Sequence, residues 1–588
     1  MPESKRDKNI DEIRHSLAHL LAAAVLEKFP NAKLGVGPVI EDGFYYDFKL
    51  PRSLTPEDLG EIEARMKFHI KQNLKMVGKK ISPTEAKKLF KDQPFKLELI
   101  KDFVREKSPL SVYRTGAIFT DLCRGGHVKS TGDINPRAFK LDRLAGAYWK
   151  GSEKRPQLQR VYGLAFASEK QLKDYLKIRE RAEQRDHRKI GRDLDLYLFH
   201  DLIGPGLPLY TPKGGVVVHE IESFMRQMQN EMGYGHVYTP HLAKEDLFKT
   251  SGHLQWFKDS MYPPAHFEGE GDYYAKPMNC PFHVQIYKSK TRSYRDLPIR
   301  YAEFGTVYRY EKSGEITGLL RTRGFTQDDA HIFCSEDQVV GEFVNVLNFA
   351  ERLLDGLGLK NRRYRLSLRG EGTSAKKYAG NASQWRKATQ YIRTALKKKG
   401  FTNYVEAKGE AAFYGPKLDV IFEDSLGREW QISTIQVDFL LPERFKLSYI
   451  NPQGKEEHPF MIHRAPLGSR ERIMALLIEH YMGAFPLWLA PVQTQIIAVS
   501  HKYQVYAQKI NKVLKEGGIR SELTEPDETL GKRIREGEIQ KIPYLIIVGE
   551  KEQKAGTIAV RRRGKGDVGN QTVANFIRTI TEEILRKK

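Results

Sequence analysis

Residues 321–331 read Arg321-Thr322-Arg323-Gly324-Phe325-Thr326-Gln327-Asp328-Asp329-Ala330-His331, and Tyr308-Arg309-Tyr310-Glu311 stands one loop upstream. A second arginine-bearing stretch, His463-Arg464-Ala465-Pro466-Leu467-Gly468-Ser469-Arg470-Glu471-Arg472, lies far downstream. The first pair reads as strand–loop–strand, the second as a strand-to-helix junction. Phosphoryl and adenylyl chemistry needs guanidinium groups that grip phosphates in bidentate fashion and neutralise developing charge. Both stretches can supply that, although an arginine on a strand is more often the partner of a surface carboxylate.

Outward from these stretches lies the largest block, opening at the Gly- and Pro-rich residues 202–212. Helical spacing marks residues 217–232, 338–357 and 383–399, and strand-like runs mark 299–310, 418–422 and 429–439. Strands that cluster late, with few βαβ units, predict an antiparallel sheet flanked by helices. Before the block, residues 10–29 have helical spacing. Residues 39–48 form a turn and strand around Asp42-Gly43, and 83–89 a short helix capped by Ser82 or Thr84. Residues 169–192 predict one nearly all-polar helix, suited to a linker. After the block, apolar runs at 494–499 and 544–548 alternate with helical patterns at 504–515, 529–540 and 573–585, which predicts a small α/β domain with parallel strands. The expected organisation is a multidomain α+β and α/β chain divided at 1–165, 166–192, 193–487 and 488–588.

Composition narrows the partners. The 588 residues are 40% apolar and 29% charged, which fits a soluble globular protein. Lys and Arg number 97 against 74 Asp and Glu, an excess of 23 that favours a polyanionic partner. Only Cys123, Cys280 and Cys334 are present, so a disulfide framework is not expected and a reducing cytoplasm is. The apolar run 17–26 is too short to span a bilayer and lacks a signal-peptide pattern.

The two arginine stretches resemble motifs 2 and 3 of class II aminoacyl-tRNA synthetases, and Pro212-Lys213-Gly214-Gly215 through Val237-Tyr238-Thr239-Pro240 resembles motif 1, which builds that class's dimer interface. Lys276-Pro277-Met278-Asn279-Cys280-Pro281, the 323–331 string and Trp430-Gln431 through Asp438 are similar to threonyl-tRNA synthetases in particular, from about residue 10 to the C-terminus. The resemblance implies ATP, L-threonine and tRNA(Thr) as substrates, Mg²⁺ with ATP, and a homodimer. It implies that Arg309 contacts the α-phosphate and the threonine carboxylate, that Glu311, Arg321 and Arg472 hold adenine and phosphates, and that Phe325 stacks on adenine. Gln431 and Thr434 meet the ribose. Gln327, Asp329, Tyr414 and Gln436 line the threonine side, and Lys417 lies near the reacting groups. Such a reaction asks for positioning and charge stabilisation rather than a protein nucleophile.

Cys280, His331 and His463 are separated in sequence, and their spacing alone does not distinguish a metal set from a buried cysteine and two satisfied histidines. One thiolate and two imidazoles suit Zn²⁺ with an open fourth position, and the resemblance assigns one zinc there, with Cys334 as a core residue. Valine is nearly isosteric with threonine, and an apolar pocket separates such pairs by only ~10²-fold. A Lewis acid that takes the amine and hydroxyl rejects valine. Serine keeps the hydroxyl and lacks one methyl, worth roughly 1–3 kcal/mol, so the error it leaves calls for a corrective site.

His15 and His19 stand at i and i+4 on one helix face, and Cys123-Arg124-Gly125-Gly126-His127 adds a thiol and an imidazole. Alone this reads as a second metal site. With Tyr46, Lys96 and Asp121 it resembles the editing domain of bacterial-type threonyl-tRNA synthetases, where hydrolysis of seryl-tRNA does not require metal. Members often begin with an extra β-rich domain; His15 lies near the start here, so that domain is expected to be lacking. Phe282 replaces the glycine usual after the Asn-Cys-Pro step. The C-terminal domain resembles an anticodon-binding domain, in which Glu552 and Arg561 match contact positions, while Lys541 and Asp527 depart from the family's arginine and asparagine. Competing readings are a prolyl- or seryl-type ligase, an inactive regulatory relative, and a metal-dependent hydrolase centred on the N-terminal cluster.

Overall fold

The computed structural model describes residues 5–152, 154–371 and 378–587, with side chains from residue 9 onward. The chain divides into two compact units, Met1–Arg181 and Ala182–Lys588.

The first unit is built on the helix Lys5–Lys28, whose residues Leu17 to Val25 are almost completely buried, His19 among them. It packs on a five-stranded antiparallel sheet of Lys33–Leu34, Val39–Ile40, Gly43–Lys49, Gln157–Ala165 and Phe139–Tyr148. A three-stranded sheet of Met76–Lys80, Ser111–Thr115 and Phe119–Leu122 completes it. The Ser82 hydroxyl accepts from the Glu85 N–H and caps the helix Pro83–Leu89.

The expected single helix over 169–192 is two, Glu169–Arg185 and His187–Asp193. Asp186 breaks it: its backbone leaves the helical region and its carboxylate accepts from the Arg188 N–H, starting a new helix.

The core of the second unit is an eight-stranded sheet. Its spatial order is Gly235–His236, Ile299–Tyr308, Gly324–Cys334, Phe460–Ala465, Glu429–Asp438, Lys417–Glu423, Arg362–Leu368 and Tyr404–Lys408. The central pairs are antiparallel, as expected, and the two outermost pairs are parallel. Helices Val339–Gly356 and Ala382–Lys398 bury their apolar stripes on one face. Successive strand residues point to opposite faces, so Ala330, Ile332 and Cys334 enter that core while Gln327, Asp329 and His331 turn to the other side. Beneath the site the Arg464–Asp328 ion pair is fully buried, with the guanidinium between the Tyr234 and Phe349 rings.

In the C-terminal region the expected parallel strands are present and are extended by an antiparallel hairpin. Its sheet runs Ser521–Thr524, Thr494–Ala498, Tyr544–Val548, Thr557–Arg562, Gly566–Thr572, and only the first three strands are parallel. The last two form a hairpin through Gly564, which needs no crossover. Among the described residues no helix is long and apolar enough to cross a membrane.

Candidate active site

The register of the large sheet assembles the first site. His331 pairs with His463, His463 with Gln436, and Gln436 with Lys417, so four polar side chains from four strands form one row on one face. A bulge where Val420 and Ile421 meet the next strand shifts the alternation, and Gln431 joins Thr434 and Gln436 on that face. The face floors a cavity of about 590 Å³. Every residue expected to bind metal, ATP or threonine lines it: Cys280, Arg309, Glu311, Arg321, Phe325, Gln327, Asp329, His331, Tyr414, Lys417, Gln431, Thr434, Gln436, His463 and Arg472.

At one end the ligand atoms of Cys280, His331 and His463 lie within 4.8 Å of one another, all buried. The surrounding groups fix which nitrogens carry protons. Asp438 accepts from His463 Nε2 at 2.8 Å, while its other oxygen accepts the Leu440 and Leu441 N–H groups. Glu303 accepts from His283 Nε2 at 3.2 Å and from the Thr239 N–H. Burial opposes the Glu303 charge, yet His283, Lys276 and Thr239 hold its carboxyl below the ordinary range. His283 Nδ1 is therefore left to accept from His331 Nδ1, 2.8 Å away. His331 Nε2 and His463 Nδ1 then present two lone pairs 3.0 Å apart. Burial pushes the Cys280 thiol well above its usual value, with Asp329 and Asp438 adding to it, and holds His331 well below its own. Two converging lone pairs and a thiol that needs a positive neighbour to ionise fit a soft divalent cation.

Beside this set, Asp329 accepts from Asn279 at 3.1 Å. Asn279 packs so closely on Gly305 that a Cβ there would collide with its side chain. The Tyr414 hydroxyl donates to Gln436, and its ring stacks on His463 at 4.8 Å. Phe282 packs against Phe248 and lies under Lys276.

At the other end are the arginines. Arg309 lies over Phe325 at 5.0 Å and Phe257 at 5.3 Å. Arg321 pairs with Glu311 at 2.8 Å and Glu315 at 3.1 Å. Arg472 donates to the carbonyls of Leu320 and Gln431, both at 3.2 Å, from a helix capped by Ser469. Between the two ends the fully buried Asp419 accepts from Lys417, Gln431 and Thr434. Asp419, His283 and Asn279 are organising residues that reading the sequence did not single out.

The first unit gathers the second site. Cys123 Sγ lies 3.4 Å from His15 Nε2 and 3.1 Å from His127 Nε2, and His19 completes a set within 4.8 Å. Gly125 and Gly126, at φ +106° and +83°, turn the chain so that His127 returns to Cys123. Ser16 donates to the Glu12 carbonyl, so its oxygen accepts from His127 Nδ1 and the Val128 N–H. Buried Asp121 accepts from the Tyr46 hydroxyl at 2.5 Å and pairs with Lys96 at 2.6 Å. Burial pushes the Cys123 thiol up to about 11 and holds His15, His19 and His127 below the usual histidine value. At neutral pH the cluster is an uncharged thiol among neutral imidazoles beside an ion pair.

At the C-terminal end, the Glu552 carboxylate accepts the Gly549 N–H, and Arg561 reaches Glu538 at 3.6 Å. The run 561–563 is not one solvated face. Arg562 pairs with Glu583, and Arg563 caps the carbonyls of Ala484 and Phe485.

Comparison with known proteins gives these constellations a family. Residues 265–481 match the tRNA synthetase class II core domain (G, H, P, S and T), 493–583 an anticodon binding domain, and 110–162 the threonyl and alanyl tRNA synthetase second additional domain. Over 589 residues the chain is 48% identical to a threonine–tRNA ligase of Thermus thermophilus, covering 98% of this chain and 89% of that protein. The chain belongs to the threonine–tRNA ligase family. A Gloeobacter violaceus threonine–tRNA ligase is 49% identical, with 99% of this chain and 93% of that one covered. A crystal structure of the RNA binding domain of threonyl-tRNA synthetase from Cryptosporidium parvum superposes with a TM-score of 0.64 at 35% identity, over 68% of this chain and 98% of that one. For a class II ligase the mostly antiparallel sheet, the arginine-lined cavity and the buried cysteine–histidine cluster are mutually consistent, the last with a zinc site.

Proposed function

We propose that Cys280, His331 and His463 hold one zinc per subunit and that the cavity converts L-threonine and ATP to threonyl-adenylate. The observation that carries this reading is the convergence of His331 Nε2 and His463 Nδ1, 3.0 Å apart beside a buried thiol, with their other ring nitrogens against His283 and Asp438. When bound, the metal supplies a Lewis acid with an open position for an amine and a hydroxyl. Gln327, Asp329, Tyr414 and Gln436 orient threonine there. Arg309 bridges its carboxylate and the α-phosphate of ATP. Glu311, Arg321 and Arg472 grip adenine and phosphates, Phe325 stacks on adenine, and Gln431 and Thr434 hold the ribose. The carboxylate attacks the α-phosphate, pyrophosphate leaves with Mg²⁺, and Lys417 and the arginines neutralise the developing charge. The terminal ribose hydroxyl of tRNA(Thr) then takes the acyl group and AMP departs. Cys280→Ser is expected to lose bound zinc and threonine-dependent pyrophosphate exchange while keeping the fold; full activity without zinc would contradict the assignment.

Residues 1–165 form, on the same reading, the hydrolytic site for seryl-tRNA(Thr), working without metal. Residues 166–192 link it to a catalytic block at 193–487, and 488–588 read the anticodon through Glu552 and Arg561. His15, His19, Cys123 and His127 position water at the ester, while Tyr46, Lys96 and Asp121 hold the terminal ribose. His15→Ala is expected to leave threonine charging intact and let seryl-tRNA accumulate. The active form is a cytoplasmic homodimer: motif 1 flanks a group of exposed apolar side chains, Leu198, Phe199, Leu202, Ile203, Leu209 and Tyr238, of the kind that marks an interface.

A further inference from the structure

We propose that His187, outside all three class motifs, is a positioning residue for the loop that carries Arg321; the proposal rests on the reading of Arg321 and Arg472 as ATP ligands.

His187 opens the helix His187–Asp193 and is 2% exposed. Its Nδ1 lies 2.7 Å from a carboxylate oxygen of Glu479, whose other oxygen accepts from Arg428. Burial opposes the Glu479 charge, but His187 and Arg428 hold its carboxyl below the ordinary range. The carboxylate therefore accepts the hydrogen bond of a protonated Nδ1, and the opposite ring nitrogen is an acceptor. His187 Nε2 accepts the backbone N–H of Leu319 at 3.1 Å. The carbonyl of the next residue, Leu320, accepts from Arg472 at 3.2 Å. The peptide groups 318–319 and 320–321, just before Arg321, are thus clamped, the first by His187 and the second by a proposed phosphate ligand. Gly318, at φ +49°, lies against the ring so closely that a Cβ there would collide with Nε2. The loop closes onto this imidazole through a backbone bond that no side chain of the loop supplies.

The ring's two nitrogens can be tested separately. His187→Asn keeps a donor near the Nδ1 position and removes the acceptor at Nε2; His187→Gln places an amide oxygen near Nε2. In pyrophosphate exchange on the full chain, His187→Asn is expected to raise the KM for ATP about three- to tenfold, the worth of one backbone hydrogen bond. The KM for threonine stays unchanged, and His187→Gln recovers most of the loss. Arg321→Ala in parallel keeps the two claims apart. If it leaves the KM for ATP unmoved, the phosphate reading itself fails. If it raises that KM while His187→Asn does not, this inference alone is overturned. Equal losses in ATP KM, threonine KM and melting temperature for His187→Asn would also overturn it, because the ring would then be only packing.

Discussion

His331 and His463 face each other at register-paired positions of adjacent antiparallel strands, with Nε2 of the first 3.0 Å from Nδ1 of the second. Two lone pairs at that distance repel unless a cation stands between them. The cost is accepted because each ring's other nitrogen is committed: His463 to Asp438, and His331, through His283, to Glu303. The outer carboxylates thereby choose the tautomers that leave ligand nitrogens free.

Asp438→Asn should therefore weaken zinc without removing a ligand. An affinity lower by about 10- to 100-fold is expected, the usual effect of losing an outer-shell partner. Competition with a chelator of known affinity measures it, and an unchanged dissociation constant would show that Asp438 serves only to cap the helix Leu440–Arg444.

Asp419 holds three groups of the nucleotide side at once, 2.8 Å from Gln431, 2.9 Å from Lys417 and 3.1 Å from Thr434. Asp419→Asn removes the charge that fixes them. Displacements near 1 Å cost on the order of 100-fold in rate, so pyrophosphate exchange should fall by about that factor with little change in zinc content. A rate within about twofold of wild type would mean that these side chains are positioned without it.

The buried histidines of the first unit make its stability depend on pH. Burial, then His15 and Lys96, hold the His19 value well below its ordinary one, and its Nδ1 has no hydrogen-bond partner among the described residues. A depressed histidine keeps the folded form unprotonated while the unfolded chain takes up protons below about pH 6.5. The stabilising contribution is complete above that pH and is lost as pH falls, at up to about 1.4 kcal/mol per pH unit for each such group. The melting temperature should fall between pH 7 and pH 5.5, and less so in His19→Leu. Equal slopes for the two proteins would contradict this.

Much of this was legible in the sequence, for identifiable reasons. Arg309, Arg321 and Arg472 stand in strings that resemble class motifs, and the structure brings all three to one cavity; His15 and His19 carry helical spacing. The break at Asp186 was missed: a single aspartate inside a polar run is too common a residue to stand out as an N-cap, and the run reads as one helix. His283, Asp419 and Asn279 were not legible. His283 is three residues from Cys280 on a helix, but its task depends on Glu303, which only strand register brings beside it. Asp419 acquires its partners through pairing with Thr434 and a bulge, neither of which leaves a spacing signature. The antiparallel hairpin at 557–572 escaped notice because its charged residues resemble a solvated tail, whereas Arg562 and Arg563 are spent on internal contacts.

The central claim is that a metal held by Cys280, His331 and His463 senses the threonine hydroxyl. Pyrophosphate exchange with threonine, serine and valine, together with zinc content on the same sample, tests it most directly. The account predicts one zinc per chain, brisk exchange with threonine, weak exchange with serine and almost none with valine. Exchange with valine comparable to that with threonine, or full threonine activity in a zinc-free sample, would contradict it.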